Sequence, residues 1–225
     1  MALYRAGRAA DAAAAFDALS AKSPSDDSLK LWKAIAQLEQ ARQMRDAKAD
    51  GYKSLIERAY GGLKRLKYRE GDNPEWYYAL AKAYWLNDRP SKAESMLKKA
   101  FHFRPDFPEA VMLQGDMAYQ DAVNAPPPSL NAPPSGSAEE WARKVSGYYE
   151  LVLKAPTLRP DLQAEACYKM GLVESVLRKK PDPAREWWGK AVAAAPDSQY
   201  GKLAAEKLGT AGARKNQAAE SGRKG

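Results

Sequence analysis

A recurring spacing of large and small residues constrains the fold of this chain more than any other feature. Between residues 74 and 105 the spacing matches a unit of about 34 residues that contains two helices. Small residues let the two helices approach closely, larger ones fill the space around that contact, and a final proline stops the second helix. The positions are Tyr77, Leu80, Ala81, Tyr84, Ala93, Leu97, Ala100 and Pro105, with a tight turn predicted at Asn87, Asp88 and Pro90.

Four more degenerate copies of the unit flank this clear one. In the second copy, Trp32 and Ala59 are 27 residues apart, whereas the matching residues of the clear unit, Tyr77 and Ala93, are 16 apart. The difference is about three helical turns, so both helices of that copy are expected to be longer. The copies are predicted at 1–24 (partial), 25–73 (long helices), 74–107 (clear), 108–160 (with a proline-rich insertion at 124–138) and 161–196.

These spacings closely resemble those of the tetratricopeptide repeat (TPR) family, of bacterial type. The resemblance implies an all-α fold in which antiparallel helix pairs stack into a right-handed superhelical array, an α-solenoid. The repeat domain is predicted to cover residues 1–208, and its last element, 197–208, is predicted to be a polar-faced capping helix because a stack of helix pairs would otherwise expose its final apolar face. Residues 209–225 lack any large apolar side chain, so a disordered basic tail is expected there.

Few residues of this chain are suited to catalysis or metal binding. With one cysteine and one histidine, it lacks the residues for a disulfide framework or a typical zinc site. Nucleotide-binding glycine motifs are also absent from the sequence. We therefore expect no enzyme activity, no catalytic residue, no metal and no cofactor. Cys167 is expected to be a buried, inert thiol, and His102 to have a packing or surface role.

The positive charge is concentrated in two parts of the chain. The net charge is +8, and most of the excess lies in residues 51–73 and in the tail. No basic face with base-stacking aromatic residues and no recognition motif accompanies it. We therefore do not expect nucleic acid as a partner, although a basic nucleic-acid or anionic-surface binder is kept as the least favoured alternative.

The resemblance also indicates where a partner would bind. In TPR proteins the first helix of each unit lines a concave groove that holds an extended peptide or a partner helix. Tyr78, Lys82 and Trp85 share one helical face, so an exposed row of binding residues is expected there. The alternative is that Trp85 packs on the long helices of the preceding copy. The full set of predicted groove residues is Lys30, Lys33, Gln37, Tyr78, Lys82, Trp85, Met112, Asp116, Tyr119 and Tyr168.

One specific TPR function is not supported by these positions. Domains of this family that clamp the C-terminal carboxylate of chaperones use a lysine and an asparagine at set groove positions. The second copy has Lys33 and Gln37 there, and the clear unit has Tyr78 and Lys82. Because this pattern is incomplete, chaperone-tail binding is not assigned.

The sequence therefore predicts a non-catalytic protein–protein interaction scaffold, or adaptor, that binds a peptide or a partner helix. The first alternative is an assembly adaptor of the cell envelope, and self-association is a further option. No apolar run approaches the roughly 20 residues that cross a bilayer, so no transmembrane segment is expected. The chain as given is expected in the cytoplasm, or in the periplasm if a signal sequence precedes residue 1.

Overall fold

Residues 1–66, 71–125 and 137–209 are described by a computed structural model of the chain. Within these ranges all regular structure is helical. The elements are α1 (Ala2–Arg5), α2 (Ala9–Lys22), α3 (Asp27–Asp46), α4 (Tyr52–Leu66), α5 (Pro74–Leu86), α6 (Pro90–Phe103), α7 (Pro108–Asn124), α8 (Ala138–Leu153), α9 (Pro160–Leu172), a π-helical turn (Val173–Leu177), α10 (Pro181–Ala194) and α11 (199–209). Most of the proline-rich insertion and residues 210–225 of the basic tail lie outside the described residues.

Polar side chains fix where several helices begin. The side chain of Asp26 accepts hydrogen bonds from two backbone N–H groups in the first turn of α3, and that of Asn73 accepts one at 3.0 Å in α5. Ser137 and Glu140 form a capping box at the start of α8. These contacts satisfy N–H groups that have no partner within the helix, so the cap residues set the helix boundaries.

Prolines and left-handed residues fix where the helices turn. Five of the described helices, α5, α6, α7, α9 and α10, begin with proline, whose missing N–H costs nothing in the first turn. The predicted turn between α5 and α6 is present, with Asp88 at a φ of 54°. Gly7, at a φ of 76°, connects α1 to α2 in a conformation that glycine adopts without a steric penalty. Short connections of this kind place consecutive helices antiparallel.

The chain divides into two compact units, an N-terminal unit of residues 1–113 and a C-terminal unit of residues 114–225. In the N-terminal unit, α3 packs on α2 and α4, and α5 packs on α6 and contacts α3 and α4. Ala81 of α5, Ala93 of α6 and Leu97 of α6 are completely buried. The small residues thus lie in the interior of the clear helix pair, as its spacing predicts.

In the C-terminal unit, α9 packs against both α8 and α10. Two glycines of this unit lie close to aromatic rings. A Cβ atom at Gly115 would lie 2.5 Å from the ring of Tyr149, and one at Gly171 would lie 2.2 Å from the ring of Trp188. Any residue larger than glycine at these two positions would therefore overlap the neighbouring ring. The predicted repeat boundaries within the two units stay predictions.

Substituting either buried alanine of the clear pair should destabilise the chain. We expect Ala81→Leu or Ala93→Leu to lower the free energy of unfolding by about 1–3 kcal/mol, because a completely buried site has no room for the added carbon atoms. Chemical denaturation measures the change. Ser95→Leu, at an exposed position of α6, is the control and should change stability by less than about 0.5 kcal/mol. Equal stabilities for the alanine and serine variants would contradict this packing.

Candidate functional site

An open cavity of about 600 Å³ lies in the N-terminal unit between α2, α3 and α4. Three predicted groove residues of α3, namely Lys30, Lys33 and Gln37, line it. A further residue, Ser20 of α2, contributes a buried hydroxyl that has no hydrogen-bond partner among the described residues. The structure therefore brings three of the predicted residues together at one concave surface.

The lysines of this cavity are neutralised by carboxylates in its wall. The Nζ atom of Lys30 lies 2.7 Å from the Asp27 carboxylate, and that of Lys33 lies 2.5 Å from the Asp17 carboxylate. All four of these residues line the cavity. The two ion pairs therefore leave no excess charge on the α2–α3 side.

The other wall of the cavity comes from α4, which supplies Arg58, Gly62 and Arg65. Both arginines are exposed, and neither forms an ion pair or hydrogen bond with any residue that the structure describes. Gly62 leaves open space between them, since a Cβ atom there would meet no other atom within 4 Å. The net positive charge of the cavity therefore comes from two arginines on one wall.

The row Tyr78, Lys82 and Trp85 was expected to be exposed, and this expectation is wrong. Lys82 is 5% exposed and Trp85 is 9% exposed, while Tyr78 is half-buried with its ring 5.4 Å from that of Phe107. The physical reason is that α5 packs against α3, so side chains on this face meet residues of α3. The alternative, that Trp85 packs on the preceding long helices, describes what is observed.

The burial of Lys82 is compensated by charges from α3. Its Nζ atom donates a hydrogen bond of 2.5 Å to the carboxylate of Glu39, which also accepts hydrogen bonds from Arg42. Burial acts to raise the pKa of Glu39, but the positive charges of Arg42 and Lys82 outweigh it and hold that pKa well below its usual range. Burial acts to lower the pKa of Lys82, and the Glu39 charge outweighs it and raises that pKa. All three groups are therefore charged at neutral pH.

Trp85 contacts a second cation of α3. The guanidinium carbon of Arg45 lies 4.7 Å from the centre of a Trp85 ring, which is a cation–π distance. The indole is therefore covered by α3, and its role in the isolated chain is to pack α5 on α3.

In the C-terminal unit, Asp116 and its partners form a second charged cluster. The Asp116 carboxylate lies 2.7 Å from the Nζ atom of Lys169 and accepts a hydrogen bond of 3.1 Å from the Tyr149 hydroxyl. The Lys169 ammonium also lies 2.6 Å from Glu165. Burial raises the pKa of the Tyr149 hydroxyl well above its usual value, and the Asp116 charge raises it further. Asp116 is thus held by residues of α8 and α9.

The remaining predicted groove residues are largely covered. Met112 is 3% exposed and Tyr168 is 9% exposed, with the Tyr168 ring 5.5 Å from that of Tyr200. Tyr119 is partly buried, and this burial raises the pKa of its hydroxyl. None of these three side chains faces the cavity of the N-terminal unit. Their assignment to a binding groove stays a prediction.

Residues considered for chemistry in the sequence occupy ordinary positions. Cys167 is buried, and burial raises the pKa of its thiol. His102 is exposed, with its ring edge against Phe103. Across the described ranges, no cluster of three or more His, Cys, Asp or Glu residues is arranged to hold a metal ion. No described helix is long and apolar enough to cross a membrane.

Comparisons with known proteins identify the fold. No protein-family model and no curated protein sequence matches the chain. Its structure is similar to the crystal structure of a thermophilic TPR protein from Thermus thermophilus, with a TM-score of 0.61 and 19% sequence identity over 92% of this chain and 93% of that one. The predicted all-α fold of TPR type is therefore confirmed.

The two arginines of the cavity were not predicted, although the sequence contains a signal for them. Arg58, Gly62 and Arg65 are spaced i, i+4 and i+7, so they share one face of a helix. The predicted groove residues all lie on the first helix of a unit, whereas α4 is the second helix of its unit. Glu39 and Arg45 gave no comparable signal, because their partners on α5, which are Lys82 and Trp85, are distant in sequence.

Removing the Trp85 side chain tests whether it is part of the interior. An exposed Trp85, as the sequence predicts, could be replaced by alanine without loss of stability, whereas the structure predicts a loss of about 3 kcal/mol in the free energy of unfolding. Thermal and chemical denaturation measure it. The control is Trp187→Ala, at a half-buried tryptophan of α10, which should cost less. A Trp85→Ala protein as stable as the parent would show that the indole is not packed between helices.

Proposed function

We propose that this chain is a non-catalytic scaffold that binds a peptide segment of a protein partner in the cavity between α2, α3 and α4. The observation that carries this proposal is the cavity itself, which has room for several side chains and is lined by Lys30, Lys33 and Gln37. The fold supports it, because helical repeats present rigid concave surfaces for binding.

The character of the cavity wall also supports a peptide as the occupant. Its apolar part comes from Ala21, Ala34 and Leu66, and its polar part from charged and amide side chains. Such a mixture suits a polypeptide, which offers apolar side chains together with backbone hydrogen-bonding groups. The buried row on α5 is not part of this proposal, since Lys82 and Trp85 already have partners on α3.

A large side chain placed in the cavity should weaken peptide binding. Peptides that bind the chain can be selected from a displayed random library, and their affinities can be measured by fluorescence polarisation. We expect Gly62→Trp to weaken binding of the selected peptides by at least about tenfold, because the indole would occupy space that the peptide needs.

Gly61→Trp is a matched control for this test. Gly61 is the neighbouring helical residue, a Cβ atom there also meets no other atom within 4 Å, and it does not line the cavity. Both variants replace a helical glycine by tryptophan, so they share the same change in helix propensity. The proposal is contradicted if no peptide is selected, or if the two variants bind the selected peptides equally well.

A further inference from the structure

Among the described residues, the positive charges on one wall of the cavity are paired with carboxylates, and those on the other wall are not. Each of the two cavity lysines, both on α3, has a carboxylate partner, which is Asp17 for Lys33 and Asp27 for Lys30. On α4 the two arginines, Arg58 and Arg65, have no partner among the described residues. An arginine guanidinium carries its charge at every physiological pH and presents paired N–H donors that match a carboxylate. The α4 wall therefore offers two sites for carboxylates.

From this difference we propose that the occupant of the cavity is an acidic segment of the partner protein, whose carboxylates pair with Arg58 and Arg65. This inference rests on the proposed function and specifies the chemistry of the partner. The two arginines are seven residues apart on α4, which is about 10 Å along the helix. An extended peptide covers that distance in about three residues. The segment is therefore expected to carry Asp or Glu at two positions about three residues apart.

Two other possible occupants, a nucleic acid strand and the chain's own C-terminal tail, suit the cavity less well. Among the described residues that line the cavity, none has an aromatic side chain on which a base of a nucleic acid strand could stack. The chain's own C-terminal residues 210–225 contain four Lys or Arg and one Glu, so their charge has the wrong sign. An acidic peptide satisfies both the arginines and the apolar residues of the wall.

Peptide selection with the full chain tests this inference. We expect selected peptides to be enriched in Asp and Glu, and replacement of these residues by Asn and Gln to weaken binding by about tenfold or more. Binding should also weaken as salt is added, because exposed charges are screened. Since these measurements use the unmodified chain, they do not depend on whether any variant folds.

Two double variants with the same change in net charge show whether the cavity arginines, and not the overall charge of α4, bind the acidic peptide. Arg58→Glu with Arg65→Glu should weaken binding of an acidic selected peptide by about tenfold or more. Lys53→Glu with Lys64→Glu changes the net charge equally on α4, at exposed residues that do not line the cavity, and should have a smaller effect. Circular dichroism establishes that both proteins are folded.

The outcomes separate this inference from the proposed function. If Gly62→Trp abolishes binding but the selected peptides are neutral, or tolerate the arginine reversals, the acidic partner is wrong and the peptide-binding cavity stands. If neither Gly62→Trp nor the arginine reversals affect binding, both proposals are wrong. The proposal of an acidic peptide would also be wrong if the chain bound a single-stranded oligonucleotide more tightly than the selected peptides and the arginine reversals abolished that binding.

Discussion

A buried cluster of three charges, Glu39 and Arg42 of α3 with Lys82 of α5, holds together two helices that belong to different pairs. Removing Glu39 would leave the Lys82 ammonium buried without its carboxylate partner, which typically costs about 3–5 kcal/mol. In the C-terminal unit, Asp116 of α7 and Lys169 of α9 form a partly buried ion pair, and Asp116 also accepts a hydrogen bond from Tyr149 of α8. Charge pairing therefore complements apolar packing in both units.

This use of charge determines which surfaces remain for binding. Tryptophan often dominates the energetics of protein interfaces, but here α3 already covers Trp85 together with Lys82. The cavity between α2, α3 and α4 keeps room for a ligand, and its arginines on α4 remain exposed. The binding site that we propose is thus a consequence of how the helices pack as well as of the repeat pattern.

The sequence predicted the fold well, because the fold depends on local signals. Prolines and the spacing of alanines each act within one helix or one turn, and such signals predicted the all-α fold of TPR type. The candidate site was predicted only in part. Lys82 is buried because it pairs with Glu39, which is 43 residues away in the sequence, and no local sequence pattern encodes that contact. The π-helical turn at Val173–Leu177 was also missed, since nothing in its sequence distinguishes it from an α-helix.

A double-mutant cycle on Glu39 and Lys82 tests most directly whether buried charge joins α3 to α5. The free energy of unfolding is measured for the parent, Glu39→Gln, Lys82→Met and the double variant. If the pair is formed and buried, the double variant loses less stability than the sum of the two single losses, with a coupling energy of about 1–3 kcal/mol. Losses that add to within about 0.3 kcal/mol would show that the two side chains act independently, and would contradict the packing of Lys82 against α3.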